Sequence, residues 1–297
     1  MNRRNFITTS AIGSLSLMTN SCFNLDSSFH YKLGYQLFSI RDRMAIAPID
    51  TLKELKSVGY EDFEIYGYDP DKNKIYGFSP QEFKMILNDL DLTVSSGHYG
   101  FSDYFNKPDA VLEKFVDKCI IAAKELNSKY ITWPWLDPSL RTIENFKILA
   151  SKLNRIGEQV NKSGLGFAYH NHGYEFEKHN GTSGYQIILN ETDPELVKLQ
   201  LDMYWVMHSS DLKPKEIVEK QKGRIVMWHI KDMDKQTRDY TELGNGSINY
   251  IEELPDPKKS GLDYFYIEQG GNFAVDSMKS AIDSANYFKK HLRSKLS

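Results

Sequence analysis

Eight short runs rich in β-branched and aromatic residues recur along the chain: Tyr31–Phe38, Asp62–Tyr66, Thr93–His98, Tyr130–Trp135, Gly166–His172, Lys198–Trp205, Ile225–Ile230 and Tyr264–Glu268. Between most of them the apolar residues move to a spacing of three and four, the period of a helix with one buried face. The clearest such stretch runs from Leu140 to Lys162, with Ile143, Phe146, Leu149, Ala150, Leu153, Ile156 and Val160 on one stripe and Ser163-Gly164 to stop it. Pro48 near the start and Gly59 just past the end bracket another helix, and Ser79-Pro80 opens a third with a cap residue. A strand and helix alternation repeated eight times over about 250 residues is the size of a (β/α)8 barrel. No linker or low-complexity stretch divides it, so residues 23–297 read as one TIM-barrel domain. A doubly wound sheet is the competing fold, but no Gly-x-Gly-x-x-Gly follows any strand.

The first twenty-two residues follow neither pattern. Arg3 and Arg4 precede a small, apolar segment from Ile7 to Met18, and no further charge occurs before Asp26. This is the layout of an export signal, and the paired arginines look like a twin-arginine leader. The segment is shorter than the roughly 20 apolar residues a membrane span needs. Ser21-Cys22 resembles the end of a bacterial lipoprotein signal, which makes Cys22 the expected lipid attachment point. The expectation is an exported protein, periplasmic or held at a membrane only through that anchor.

Composition narrows the function classes. With 4 Trp, 18 Tyr and 16 Phe the chain has far too many aromatics to stay unfolded. The whole chain carries a net charge of −3; loss of the leader removes Arg3 and Arg4 and leaves −5, which opposes a nucleic-acid-binding surface. Two cysteines make no disulfide scaffold, and Cys119, on an apolar helix face, reads as a small core residue.

Barrel enzymes place their chemistry at the C-terminal ends of the strands. Residues able to ligate a metal collect there: Ala168-Tyr169-His170-Asn171-His172 on the fifth strand, Leu201-Asp202 on the sixth, His229-Ile230-Lys231-Asp232 on the seventh, and Ile267-Glu268-Gln269 on the eighth. A histidine and carboxylate set suits a divalent ion such as Mn²⁺, Zn²⁺, Co²⁺, Mg²⁺ or Fe²⁺. Such a centre stabilises the charge that develops when a proton leaves the carbon beside a carbonyl, with a carboxylate to take that proton.

The chain from about residue 30 to 292 resembles the sugar phosphate isomerase/epimerase family with the xylose-isomerase-like barrel. The resemblance rests on Leu33-Gly34-Tyr35-Gln36-Leu37-Phe38-Ser39-Ile40-Arg41-Asp42, Gly59-Tyr60-Glu61-Asp62-Phe63-Glu64 and Tyr169-His170-Asn171-His172-Gly173-Tyr174-Glu175-Phe176. It continues in Leu201-Asp202-Met203-Tyr204-Trp205-Val206, His229-Ile230-Lys231-Asp232-Met233, Glu242-Leu243-Gly244-Asn245-Gly246 and Ile267-Glu268-Gln269. It implies a metal centre of Glu, Asp, His and Glu, in which Asp202, His229 and Glu268 match the last three ligands. His170 stands where the first glutamate is expected. In the epimerases those two glutamates shuttle the proton on opposite faces of the sugar, so a symmetrical two-glutamate epimerisation does not carry over.

The expected metal ligands are therefore His170, Asp202, His229 and Glu268, with Glu268 also the base. Glu64, His98 and Lys231 are the auxiliary catalytic groups, Lys231 to neutralise an enolate oxygen or pair with Glu268. His172, Trp133, Trp205 and Glu242 are the expected substrate contacts, Glu242 on a loop over the substrate. The leading expectation is a metal-dependent isomerase or epimerase of a free sugar or keto-sugar, since an exported enzyme meets few sugar phosphates. The alternatives are a 3-keto-glycoside lyase, hydrolase or dehydratase using the same site, and a non-catalytic sugar-binding lipoprotein. An apurinic endonuclease of the same superfamily is opposed by the charge and the leader.

Overall fold

The computed structural model describes residues 31–296; the expected export signal and the expected lipid attachment point Cys22 lie outside them. Eight parallel strands close into a barrel: β1 (Gly34–Gln36), β2 (Asp62–Ile65), β3 (Thr93–His98), β4 (Tyr130–Trp133), β5 (Gly166–His170), β6 (Lys198–Asp202), β7 (Ile225–Ile230) and β8 (Tyr264–Ile267). Each pairs with its sequence neighbours and β8 returns to β1, so no edge is left open. The principal helices are α1 (Pro48–Val58), α2 (Pro80–Asp89), α3 (Asp109–Leu126), α4 (Ile143–Lys162), α5 (Gly184–Glu191), α6 (Met203–Ser209), α7 (Pro214–Lys220) and α8 (Ser277–His291).

The caps read from sequence form as expected. Gly59 closes α1 at φ 100°, a left-handed position where an L side chain is strained. Ser79 and Glu82 make a reciprocal capping box at the start of α2. Helix α4 begins at Ile143 rather than Leu140, because Thr142 accepts from Asn145 N and Pro138–Leu140 forms a separate tight turn. Cys119 is fully buried in α3. No helix among the described residues is long and apolar enough to cross a membrane.

The main departure is at the sixth strand. It stops at Asp202 instead of running to Trp205, and Met203-Tyr204-Trp205-Val206 turns into helix α6. These residues have strand-type side chains, but the Asp202 carboxylate accepts from Trp205 N at 3.1 Å and caps a helix there. His208 falls in the last turn of that helix. Below the mouth, Ala168, Met227 and Tyr266 fill the barrel centre, so polar side chains further up rest on a packed floor.

Candidate active site

Because side chains alternate along a strand, residues two apart share a face. Gln200 and Asp202 on β6, and Met227 and His229 on β7 with Lys231 just beyond it, turn inward in steps toward the mouth. Here they meet His170 from β5 and Glu268 just after β8. One ligand atom from each of His170, Asp202, His229 and Glu268 lies within 4.8 Å of the others, and all four residues are buried. His98, His170 and His229 form a second, overlapping group of the same kind.

His229 organises the centre. Its Nε2 lies 2.6 Å from Glu64 Oε2, and its Nδ1 is in close contact with Glu268 Oε2. Burial alone would favour the neutral ring, but Glu268 and Glu64 outweigh it and push its pKa up to about 9. Burial equally opposes the charge on Glu268, yet Lys231 and His229 hold that carboxyl well below its usual range. Lys231 Nζ sits 2.7 Å from Asp202 Oδ2 and 2.9 Å from Glu268 Oε2, and these carboxylates keep it protonated despite its burial. His170 and His172 are neutral, first because they are buried and then because positive neighbours surround them, His229 beside His170 and Lys231 beside His172.

The donor set fits a divalent ion. His170 Nδ1 is buried with no partner. His229 turns Nδ1 toward this cluster while Glu64 holds its other nitrogen, the arrangement by which an outer carboxylate orients a metal-bound histidine. Two nitrogens and two carboxylates match the ions named above.

Above the cluster opens a cavity of about 610 Å³. His98, His170, His172, Lys231 and Glu268 line it, with Glu268 its only carboxylate among the described residues. Four expected roles change with these positions. Glu64 does not reach the cavity: Gln36 Nε2, Ser96 Oγ and Gln200 Nε2 donate to it at 2.6, 2.6 and 2.7 Å, with His229 at 2.6 Å and His98 at 3.1 Å. Every lone pair is taken, so it is a positioning group beneath the site rather than an acid or base. Trp133 is fully buried and stacks on Phe101 at 5.2 Å, and its neighbour Trp135 lines the cavity instead. Trp205 packs behind His172 at 5.8 Å and lies outside the lining. Glu242 is pinned away from the mouth, accepting from Ala274 N at 2.9 Å and from Ser280 Oγ. Its loop is anchored as well: Gly244 N and Gly246 N both donate to Asp232 Oδ2, at 2.8 and 3.1 Å.

Sequence reasoning passed over Gln36, Ser96 and Gln200, which tie Glu64 in place, and Glu175, which accepts from Tyr169 OH at 2.7 Å and from His172 N at 2.9 Å. A signal existed for Gln200: a polar residue two before Asp202 shares its inward face.

The fold and this cluster define a class of protein, a (β/α)8 barrel with a histidine and carboxylate centre at its C-terminal mouth. The family model for the xylose isomerase-like TIM barrel matches residues 52–291, and the chain belongs to that family. No curated protein matches it in sequence. A sugar phosphate isomerase/epimerase from Parabacteroides distasonis is 25% identical, with a TM-score of 0.77 over 89% of this chain and 95% of the other. An L-ribulose 3-epimerase shares the fold at 16% identity, with a TM-score of 0.69 over 89% of this chain and 95% of its own. So does the IOLI protein, whose structure carries a zinc atom, at 16% identity and a TM-score of 0.66 over 89% and 98%.

Proposed function

We propose that the protein is an isomerase or epimerase of a non-phosphorylated sugar or keto-sugar that removes a proton from the carbon beside a carbonyl. The observation that carries this reading is Glu268: an ionised carboxylate at the cavity wall, with a protonated lysine 2.9 Å away. The Glu268 carboxylate takes the C–H proton, and the electron pair moves through the new C=C bond onto the carbonyl oxygen. The Lys231 ammonium stands where that developing oxyanion is stabilised. A divalent ion held by His170, Asp202, His229 and Glu268 would add Lewis-acid polarisation of the carbonyl. The hydroxyl proton on the first carbon then passes to the enolate oxygen, and Glu268 returns its own proton to the former carbonyl carbon, so the carbonyl shifts by one position.

Returning the proton to the same face requires one base; inverting a carbon requires a second acid on the opposite face. The cavity offers histidines there, His98 and His172, but no second carboxylate among the described residues. This favours a carbonyl shift over a two-carboxylate epimerisation. It also suits a second reading, elimination, in which the same first step is followed by loss of a β-oxygen. The leader read from the first twenty-two residues supports an exported, lipid-anchored enzyme and so a substrate without phosphate.

The test is proton NMR of ketoses and keto-glycosides in D₂O with the Mn²⁺-supplemented protein. Deuterium uptake without cleavage is expected, and Glu268→Gln is expected to abolish it while leaving the circular dichroism spectrum intact. Uptake retained by that variant refutes Glu268 as base, and loss of a β-substituent establishes elimination instead.

A further inference from the structure

Charged side chains gather on one side of the barrel mouth. The segments following β5, β7 and β8 deliver His172, Lys231, Tyr240 and Glu268 to the cavity, joined by His170 at the end of β5. The segments following β1 to β4 deliver Phe38, Tyr66, Tyr68, Tyr99 and Trp135, and the end of β3 adds His98; this side carries no charged side chain among the described lining residues. Phe38 and Trp135 stand at the rim and are 39% and 38% exposed, unlike the buried Trp133. In the closed strand order β1 and β4 are separated by β2 and β3, so the two rings rise from well-separated points of one wall.

Both rim rings are held. Arg41 Cζ lies 4.3 Å from the Phe38 centroid, and Tyr66 meets Phe38 edge-on at 5.3 Å. Arg141 Cζ lies 5.5 Å from Trp135 and 3.7 Å from Tyr174, and Tyr174 stacks in turn on His172 at 5.6 Å. Cation–π contacts of this kind orient exposed aromatic rings. The cavity, at about 610 Å³, falls in the roughly 300–1,000 Å³ range that suits a drug-sized ligand, more than one free six-carbon sugar fills. A sugar bound only at Glu268 and Lys231 would leave this aromatic wall unused.

We infer that the site takes a keto-sugar carried as a glycoside, its ring over the histidine, lysine and glutamate half and a flat apolar aglycone against the wall between Phe38 and Trp135. The inference rests on the proposed reading that the sugar carbons lie at Glu268. A glycoside cannot open its ring, so the carbonyl that activates the proton is a ketone on the ring.

The test is isothermal titration of the intact protein with paired methyl and 4-nitrophenyl β-glucosides and β-galactosides, which lack the ketone and are not turned over. The 4-nitrophenyl member of at least one pair is expected to bind about tenfold tighter or more, the range given by one or two aromatic stacking contacts. In Phe38→Ala/Trp135→Ala that advantage is expected to fall to within about twofold, with the methyl glycoside's affinity retained, and Trp135→Phe is expected to restore part of it. Equal affinity for both members, no binding of either, or equal weakening of both by the double variant overturns the inference. A failure of the proton-abstraction reading shows differently: the aryl advantage persists in binding while no keto-sugar takes up deuterium.

Discussion

Glu175 is a buried carboxyl whose titration is predicted to be visible in the stability of the whole barrel. It sits in the turn Tyr174–Phe176, fully buried, with Tyr169 OH donating to one oxygen and His172 N to the other. Burial is the largest influence and raises its pKa from 4.5 to about 7, with the Tyr169 and His172 hydrogen bonds opposing. Below pH 4.5 the group is protonated in both folded and unfolded chains and stability is complete. As the pH rises the unfolded chain ionises first, so stability is lost progressively and levels off above the folded value near 7. The full loss is about 3 kcal/mol, from a difference of about 2.5 between the two values at 1.36 kcal/mol each. Glu175→Gln copies the protonated acid: its amide oxygen accepts from His172 N and its NH₂ donates to the Tyr169 oxygen. Urea unfolding of both proteins is to be followed by circular dichroism from pH 4.5 to 8. The wild type should lose about 3 kcal/mol relative to the variant across this range. Asp62, raised to about 6 by burial, titrates in both proteins and cancels in the difference. A difference that stays constant with pH refutes the assignment of a buried, near-neutral titration to Glu175.

Two further variants test the centre and the barrel seam. Lys231 Nζ lies 2.7 and 2.9 Å from two of the four prospective ligands, so a divalent ion meets a like charge within a few ångströms. Lys231→Met is expected to bind Mn²⁺ or Zn²⁺ at least about tenfold more tightly in a titration while losing deuterium exchange, and unchanged or weaker binding contradicts this. Gly34 pairs with Tyr266 where β1 meets β8, and a Cβ there would stand 2.1 Å from the Phe265 carbonyl oxygen. Gly34→Ala is expected to cost about 3 kcal/mol or more in denaturant unfolding, and a loss below about 1 kcal/mol means that the seam yields.

Ile225–Ile230 was legible because a parallel strand covered on both faces is apolar almost throughout, and it runs as read; Thr93–His98, with Val94 its one apolar side chain, also runs as read. Their ends were less so. Trp133 and Trp135 are two apart and would share a face in a continuing strand, but the chain leaves the strand at Trp133, whose indole donates to Trp135 O at 2.8 Å. The two rings therefore part, one into the core and one to the cavity. His170, Asp202, His229 and Glu268 stood out because polar residues at strand ends are costly without a purpose. The position of Glu64 depends on register instead: Gln36 and Ser96 face it from the two adjacent strands and Gln200 from across the barrel, a convergence that no local pattern encodes. The aromatic wall escaped notice for the opposite reason, since tyrosine and phenylalanine occur throughout the chain.

The replacement of the expected fifth-strand glutamate by His170 redistributes charge across the site. With a glutamate there, two carboxylates would face each other over the substrate and an ammonium between them would be shared. With His170 neutral, Lys231 is committed to Asp202 and Glu268 on one side, and no other carboxylate or ammonium lines the cavity among the described residues. A carboxylate must be ionised to act as a base, and the proton it removes leaves most easily where the product oxyanion is stabilised. Both conditions meet at Glu268, while nothing equivalent stands opposite. Glu64, locked beneath by five polar neighbours, supports this one-sidedness by keeping His229 turned toward Glu268. The asymmetry therefore belongs to the barrel floor as well as the mouth. Restoring a glutamate at position 170 alone would place a third carboxylate beside one shared lysine without providing a second ammonium to activate it.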